Sequence, residues 1–450
     1  MVHRIQAPPA LAAPSQELGQ RFFTRTDSAL QRAVEAADSA KGYLHWDQFR
    51  YREPAAGLSQ EELWGLIQWL RISTSRPLPL LLQKSGRPFS LSTSGPMAAA
   101  LHRIDTKEVL WKQALGPSAG EARDDTYRLM AAIEEAHHSS AIEGAVTTRR
   151  ESRDLIRTGR PPKSRSEQMV LNNYRALERL DEWKELPLAP ELICEVQATV
   201  TEEALDDPDD QGVVRTDDEV RIHDAVTGEV VYQPPPASEL TERLDALCRF
   251  ANETPRDEDF LSPITRAILI HHQVSYDHPF ADGNGRTARM LFMWSMLRSG
   301  YHWLRAMSIS RAVHLDRTGY YRSFQYVQLD SGDVTYFVRH QLRCIEKEIK
   351  RLADFLEDRQ RVATWMRDRK AIASDLNARQ LALVDCALRN PDATFTVREH
   401  REFHAVTQPT AWKDLQDLVS QDLLTESRIG RKAVYGASEK LKQLSRERPD

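Results

Sequence analysis

Long apolar runs are missing from this sequence: no stretch approaches the ~20 consecutive apolar residues of a membrane-spanning helix, so no membrane partner is expected. Cysteine is scarce. Four are present, at positions 194, 248, 344 and 386, with no close pair, which supports neither a disulfide framework nor a zinc site. Each lies in a helical-looking apolar pattern, as in Leu192-Ile-Cys194, and is expected to be a buried, reduced thiol in a reducing compartment. Nor does one sign of charge dominate: 61 Lys+Arg against 66 Asp+Glu give a net charge of −5, whereas a chain that grips nucleic acid over its whole surface is basic. The opening residues, Met1 to Gly19, carry prolines where a signal peptide needs an unbroken apolar stretch. A disordered leader is expected there, and the cytoplasm by default.

What is present is the balance of a soluble globular protein, 28% charged and 41% hydrophobic, in a chain of 450 residues that is too long for one ordinary core. Helical periodicity dominates. Glu61 to Leu70 and Val170 to Leu180 place apolar residues three and four apart, and Ser59 with Glu62 forms a capping-box pattern ahead of the first. Breaks fall at Gly116 to Gly120, Thr158 to Pro162, Asp206 to Gly212 and Gln233 to Pro236. One stretch is not helical: Val213 to Asp224 and Glu229 to Gln233 flank Thr227-Gly228 and read as a hairpin. Trp46, Trp64 and Trp69, near the N-terminus, read as core aromatics.

Chemistry concentrates in His278-Pro-Phe-Ala-Asp-Gly-Asn-Gly-Arg-Thr-Ala-Arg289. The helix of Ile264 to Tyr276 cannot pass Pro279; Asp282 to Gly285 makes a tight turn, and a second helix starts near Arg286. A glycine-rich turn feeding a helix N-terminus aims backbone N–H groups and a positive dipole end at an anion, which suits phosphate. Arg286 and Arg289, three apart, are expected to project to one side and clamp a polyphosphate. Asp282 offers a hard oxygen for magnesium on a nucleotide. His278, just before the turn, has a side chain suited to taking a hydroxyl proton, and Phe280 pins the loop to the core. These residue types point to phosphoryl or nucleotidyl transfer.

The string resembles the signature of the Fic family, His-x-Phe-x-(Asp or Glu)-Gly-Asn-Gly-Arg-x-x-Arg, at every fixed position. The resemblance implies a protein adenylyltransferase. The histidine matching His278 deprotonates a Ser, Thr or Tyr hydroxyl of a target protein, or of the chain itself; that oxygen attacks the α-phosphate of ATP, and pyrophosphate leaves. It further implies that Asp282 holds Mg2+ and that Gly283, Asn284 and Gly285 cradle phosphates, with the Asn284 side chain assisting. Arg286 and Arg289 then bind the outer phosphates. Residues 213–236 resemble the family's flap, whose edge pairs with the target chain, and Gly319-Tyr320-Tyr321-Arg322 with Ser331-Gly332-Asp333 resembles its stretch near adenine. Relatives that remove AMP or use another nucleotide share the motif, and a regulator whose Fic core only senses nucleotide is the reading outside enzymes.

Ser139-Ser-Ala-Ile-Glu143-Gly144 resembles the family's inhibitory motif. The resemblance implies that a buried pair between Glu143 and Arg289 withholds the arginine from the γ-phosphate, because one guanidinium cannot serve two anions. His137, His138, His271 and His272 point different ways on their helices and are read as structural. The last segment reads as a winged helix: helices at 377–390, 397–403 and 408–422, then a two-stranded wing around Gly430. Residues 391–450 hold ten basic and ten acidic side chains, and the third helix one lysine and three aspartates, so dimer or other protein contact competes with DNA binding by residues 375–450. The expected architecture is mainly α, and its first segment is the disordered leader (1–40). A helical extension (41–125), a Fic core with one hairpin and the inhibitory helix (126–355), and a linker helix with the winged-helix-like domain (356–450) follow.

Overall fold

The computed structural model describes residues 5–10, 13–39, 42–52, 57–115, 121–223, 228–253, 257–368, 376–404, 406–429 and 432–446. The break at Gly116 to Gly120, the flap turn at Thr227 and the wing turn at Gly430 lie outside them. The chain divides into two compact units, residues 1–156 with 160–349, and residues 157–159 with 350–450.

In the first unit, order begins earlier than the sequence reading expects. Helices span Gln16–Phe23 and Ser28–Ala37, inside the segment read as a loose leader. The prolines stop at Pro14, and from there each helix has its own start signal: Ser15 Oγ accepts from Leu18 N–H at 3.2 Å, and Asp27 Oδ1 from Ala29 and Leu30 N–H at 3.1 and 3.0 Å. Leu18, Leu30 and Ala37 then pack with Trp46, Phe49 and Trp64 in one apolar cluster. The capping box at Ser59 and Glu62 opens the helix Gln60–Thr74 as read. After it comes an antiparallel hairpin, Ser75–Leu82 with Pro88–Ser92, that the helical reading of this region omitted. Pro77 and Pro79 forbid a helix there.

This extension is one body with the helical core because buried polar groups join them. Arg71 donates to Tyr336 Oη at 2.9 Å, Tyr336 to Asp330 at 2.6 Å, and Tyr43 to Asp333 at 2.6 Å. Ser90 pairs with the backbone of Gly332 and Val334, at 3.0 and 2.9 Å. The core itself is built from helices Glu121–Ile142, Arg165–Trp183, Pro190–Thr201, Pro263–Asp277 and Asn284–Arg298. From Met290 to Leu297 every residue of the last is buried, so it is apolar all round and runs through the middle of the unit.

The second unit holds helices Ala378–Arg389, Val397–His404 and Gln408–Ser420, with a three-stranded sheet ordered Thr394–Phe395, Lys432–Ala437, Leu424–Ile429. Leu383, Val384, Leu415, Leu418 and Leu441 fill its core. Asp414, one of the three aspartates counted on the third helix, faces inward: Arg379, Asn377 and His400 all bond to it. No disulfide joins the cysteines among the described residues; Cys248 and Cys344 are buried, Cys194 is half-buried and Cys386 exposed. No helix of the described residues is long and apolar enough to cross a membrane.

Candidate functional site

His278 ends the helix Pro263–Asp277 in the left-handed conformation, φ 48° and ψ 59°. A non-glycine residue avoids that region unless its surroundings impose it. Here the next residue is proline, and the His278 N–H still closes onto Val274 O at 3.0 Å. The imidazole Nδ1 lies 3.0 Å from the Ser275 carbonyl. A carbonyl only accepts, so Nδ1 carries the proton and Nε2 keeps the lone pair of a base. Desolvation by the enclosing protein pulls the His278 pKa below the ordinary imidazole value; the Ser275 bond and the Glu143 charge push back, and Arg215 adds to the lowering. The side chain is neutral and able to accept a proton near pH 7.

Beyond Phe280, which is fully buried, the turn is shaped by close approaches. Gly283 has φ 84°, and a methyl group there would sit 2.5 Å from Thr201 Cγ2, so only glycine fits. The Asn284 side chain is used up locally: Oδ1 accepts from Phe280 N–H at 2.9 Å and Nδ2 donates to Phe280 O at 2.8 Å. It fastens the loop, while the resemblance implies that it assists in holding a phosphate. At Gly285 a methyl group would lie 2.1 Å from Glu143 Oε1. The Glu143 carboxylate thus rests at the N-terminal end of the helix Asn284–Arg298, in the place an anion is expected to take.

The two arginines do not share a side. Arg286, 1% exposed, donates to Val200 O at 2.8 Å and sits 3.3 Å from Asp282 Oδ2. Arg289 turns instead toward the helix Glu121–Ile142, with Nε on Ser139 Oγ at 3.0 Å, Nη2 on Ser139 O at 2.8 Å, and Nη2 2.9 Å from Glu143 Oε1. A three-residue step rotates a helix position by about 60°, and long side chains widen the divergence. Burial works against the Arg289 charge, but Glu143 and its neighbours together more than offset this and raise its pKa. The pair is only half enclosed: the Arg289 side chain is 5% exposed, that of Glu143 28%. Gly144, at φ 91°, ends the helix that carries Ser139.

Asp282 is half exposed and near two arginines, with Arg286 and Arg165 at 3.3 and 3.6 Å. No group of three or more His, Cys, Asp or Glu side chains able to hold a metal occurs among the described residues. The donor set fits an ion that arrives with phosphates and water, to which the protein adds one carboxylate. Of the tyrosine pair, only Tyr321 presents surface, at 40%; Tyr320 is 3% exposed, with its hydroxyl 3.0 Å from His271 Nε2. Gly332 and Asp333 are occupied by the N-terminal extension. Asp333 holds Tyr43, and Gly332 approaches Gln83 so closely that a methyl group would meet it at 2.3 Å. Among the described residues, Ile222–His223 and Val230–Tyr232 pair in the hairpin near the site. His137 meets Ser152 at 3.0 Å, His138 meets His314 at 2.8 Å, and His272 stacks between Tyr276 and Phe324.

Three residues here carry no sequence signal. Gln197 donates to Asp282 O at 3.1 Å and accepts from Gly212 N–H at 2.5 Å. Asn173 accepts from Ser139 Oγ at 3.3 Å and donates to Ser140 Oγ at 2.9 Å, steadying the segment that holds Arg289. Arg215 bonds to three backbone carbonyls.

A sequence model described as the Fic/DOC family matches residues 187–296. The protein adenylyltransferase Fic of Nematostella vectensis is 35% identical over 118 residues, which are 26% of this chain and 25% of that protein. The Caenorhabditis elegans protein adenylyltransferase fic-1 is 38% identical over 91 residues, 20% of this chain and 16% of its own. The match therefore spans a quarter or less of these relatives. Among solved structures, a Fic family protein from Desulfovibrio desulfuricans G20 aligns with a TM-score of 0.49 and 17% identity, over 76% of this chain and 95% of that one.

Proposed function

We propose that this chain uses its Fic domain, residues 187–296, to transfer AMP from ATP to a hydroxyl of a protein, and that Glu143 restrains the transfer. The observation that carries the reading is the position of His278: a neutral imidazole with its Nε2 lone pair free, held beside a glycine-floored helix N-terminus. In the proposed reaction Nε2 takes the proton of a target hydroxyl, and the oxygen bonds to the α-phosphorus while the bond to the bridging oxygen breaks. AMP stays on the target and pyrophosphate leaves. The N–H groups at the start of the helix Asn284–Arg298 receive phosphate oxygens, and Asp282 holds magnesium, which when bound neutralises part of their charge. Arg289 is the natural partner of the terminal phosphate but is paired with Glu143. Because that carboxylate is partly open to water, its displacement requires less than the separation of a fully buried pair. The absence of any disulfide among the described residues supports a reducing home such as the cytoplasm.

The test uses the full chain, ATP labelled on the α-phosphate, and cell lysate. Glu143→Gly is expected to raise label on protein, and His278→Ala in that background to lower it by about 10²–10⁴-fold. Glu143→Gly with Arg289→Ala is expected to lose the gain. Equal labelling with and without His278 overturns the reading.

A further inference from the structure

Arg215 plays no part in the chemistry above, yet it joins the flap to the loop that carries His278. It lies in the extended segment after Gly212, and its side chain is 3% exposed. Its backbone N–H donates to Pro279 O at 2.9 Å. From the guanidinium, Nε donates to His278 O at 2.9 Å, Nη1 to Asp217 O at 2.6 Å and Nη2 to Pro235 O at 2.6 Å. Asp218, 3.4 Å from Nη1, is the nearby counter-charge.

The three carbonyls belong to three stretches of chain. Asp217 and Pro235 mark the outgoing and returning ends of the flap, and His278 is the residue held at φ 48°. A planar fork with five N–H groups bonds in these fixed directions at once, which a single ammonium cannot. Two consecutive carbonyls of the catalytic loop, His278 and Pro279, are both tied to this one residue. Pro279 has no N–H of its own to anchor that loop.

We infer that Arg215 is a positioning residue that locks the base of the flap to the His278 backbone, so that the strand presenting the target and the imidazole taking its proton move as one body. This rests on the proposed roles of His278 and the flap. A misplacement of about 1 Å between reacting groups costs on the order of 10²-fold in rate, so the coupling matters even though Arg215 touches no substrate.

The experiment uses the full chain with Glu143→Gly, alone or with Arg215→Lys or Arg215→Met. Three things are measured: AMP transfer against target and ATP concentration, amide hydrogen exchange over 213–236 and 278–285, and the titration of the His278 ring by NMR. Arg215→Lys is expected to lower kcat by about 10- to 100-fold with ATP affinity unchanged, and to speed exchange in both segments together. Arg215→Met is expected to do the same and to move the His278 titration to higher pH, because a positive charge beside the ring is gone. Arg215→Lys with parental rates and exchange overturns the inference. So does faster exchange in the flap alone, or a loss matched by a general fall in melting temperature. If the Glu143→Gly parent transfers no AMP, the functional reading fails, while exchange and titration still decide the role of Arg215.

Discussion

In the proposed reaction, Gly285 is the residue over which Glu143 and an incoming phosphate would compete. A methyl group there would lie 2.1 Å from Glu143 Oε1 and 3.1 Å from Arg289 Nη1. Gly285→Ala is therefore expected to expel the carboxylate and to fill the floor that a phosphate would use. Its expected effect is loss of ATP binding by calorimetry, in the parent and in Glu143→Gly alike; an alanine variant that binds ATP as Glu143→Gly does would place the phosphates elsewhere. Arg289 also shows why single residues are hard to read from a motif. The string identifies it, but two of its three contacts are to Ser139, one of them to a backbone carbonyl, and neither involves Glu143. Asn284 and Arg286 sit in the same string and turn inward to hold the loop, because a tight turn leaves buried N–H and C=O groups that something must satisfy.

At the scale of elements, the turn between the two central helices depends on Asn284 as a clip. Asn284→Ala leaves both the N–H and the C=O of fully buried Phe280 without that partner. The expected loss of stability is about 2 kcal/mol, read by chemical denaturation, with Asn284→Asp intermediate because a carboxylate accepts but does not donate. An alanine variant as stable as the parent would show that another group holds the turn. The helices Gln60–Thr74 and Arg165–Trp183 were legible because their apolar residues recur at three and four, and because Ser59 announces the start of the first. The hairpin Ser75–Ser92 was not: its prolines deny a helix, but its strands pair with each other without a polar–apolar alternation, and the further bonds of Ser90 run to Gly332 and Val334, far along the chain. Gln197 and Arg215 were illegible because each bonds to backbone that any sequence would supply.

For the whole molecule, buried histidines set the response to acid. Burial lowers His45 and His272 to about 3 and His137 to about 4, while Asp277 is raised to about 6. A histidine depressed in the folded state leaves the unfolded chain binding more protons once pH falls below about 6.5, so stability drops, by up to about 1.4 kcal/mol per pH unit for each. Asp277 acts the other way between about pH 6 and 4, because the folded form then holds the proton. His404, lowered to about 4, adds to the loss and Asp333, raised by burial, opposes it; the lowered histidines outnumber the raised carboxyls, which gives a net loss between about pH 6.5 and 4. Denaturation at about pH 5 is expected to need less urea than at about pH 7; the reverse result would mean that these rings are charged in the fold. The buried bonds that join the extension to the core have a consequence in time as well. Tyr43 and Asp333 are 290 residues apart, and Arg71 and Tyr336 are 265. A ribosome adding about 5–20 residues per second takes roughly 15–60 s to travel between them. Throughout that interval the tyrosine, the arginine and the hairpin edge at Ser90 are already synthesised and have nothing to close upon. The extension, made before the residues it docks on, is completed only when Asp333 and Tyr336 have followed it.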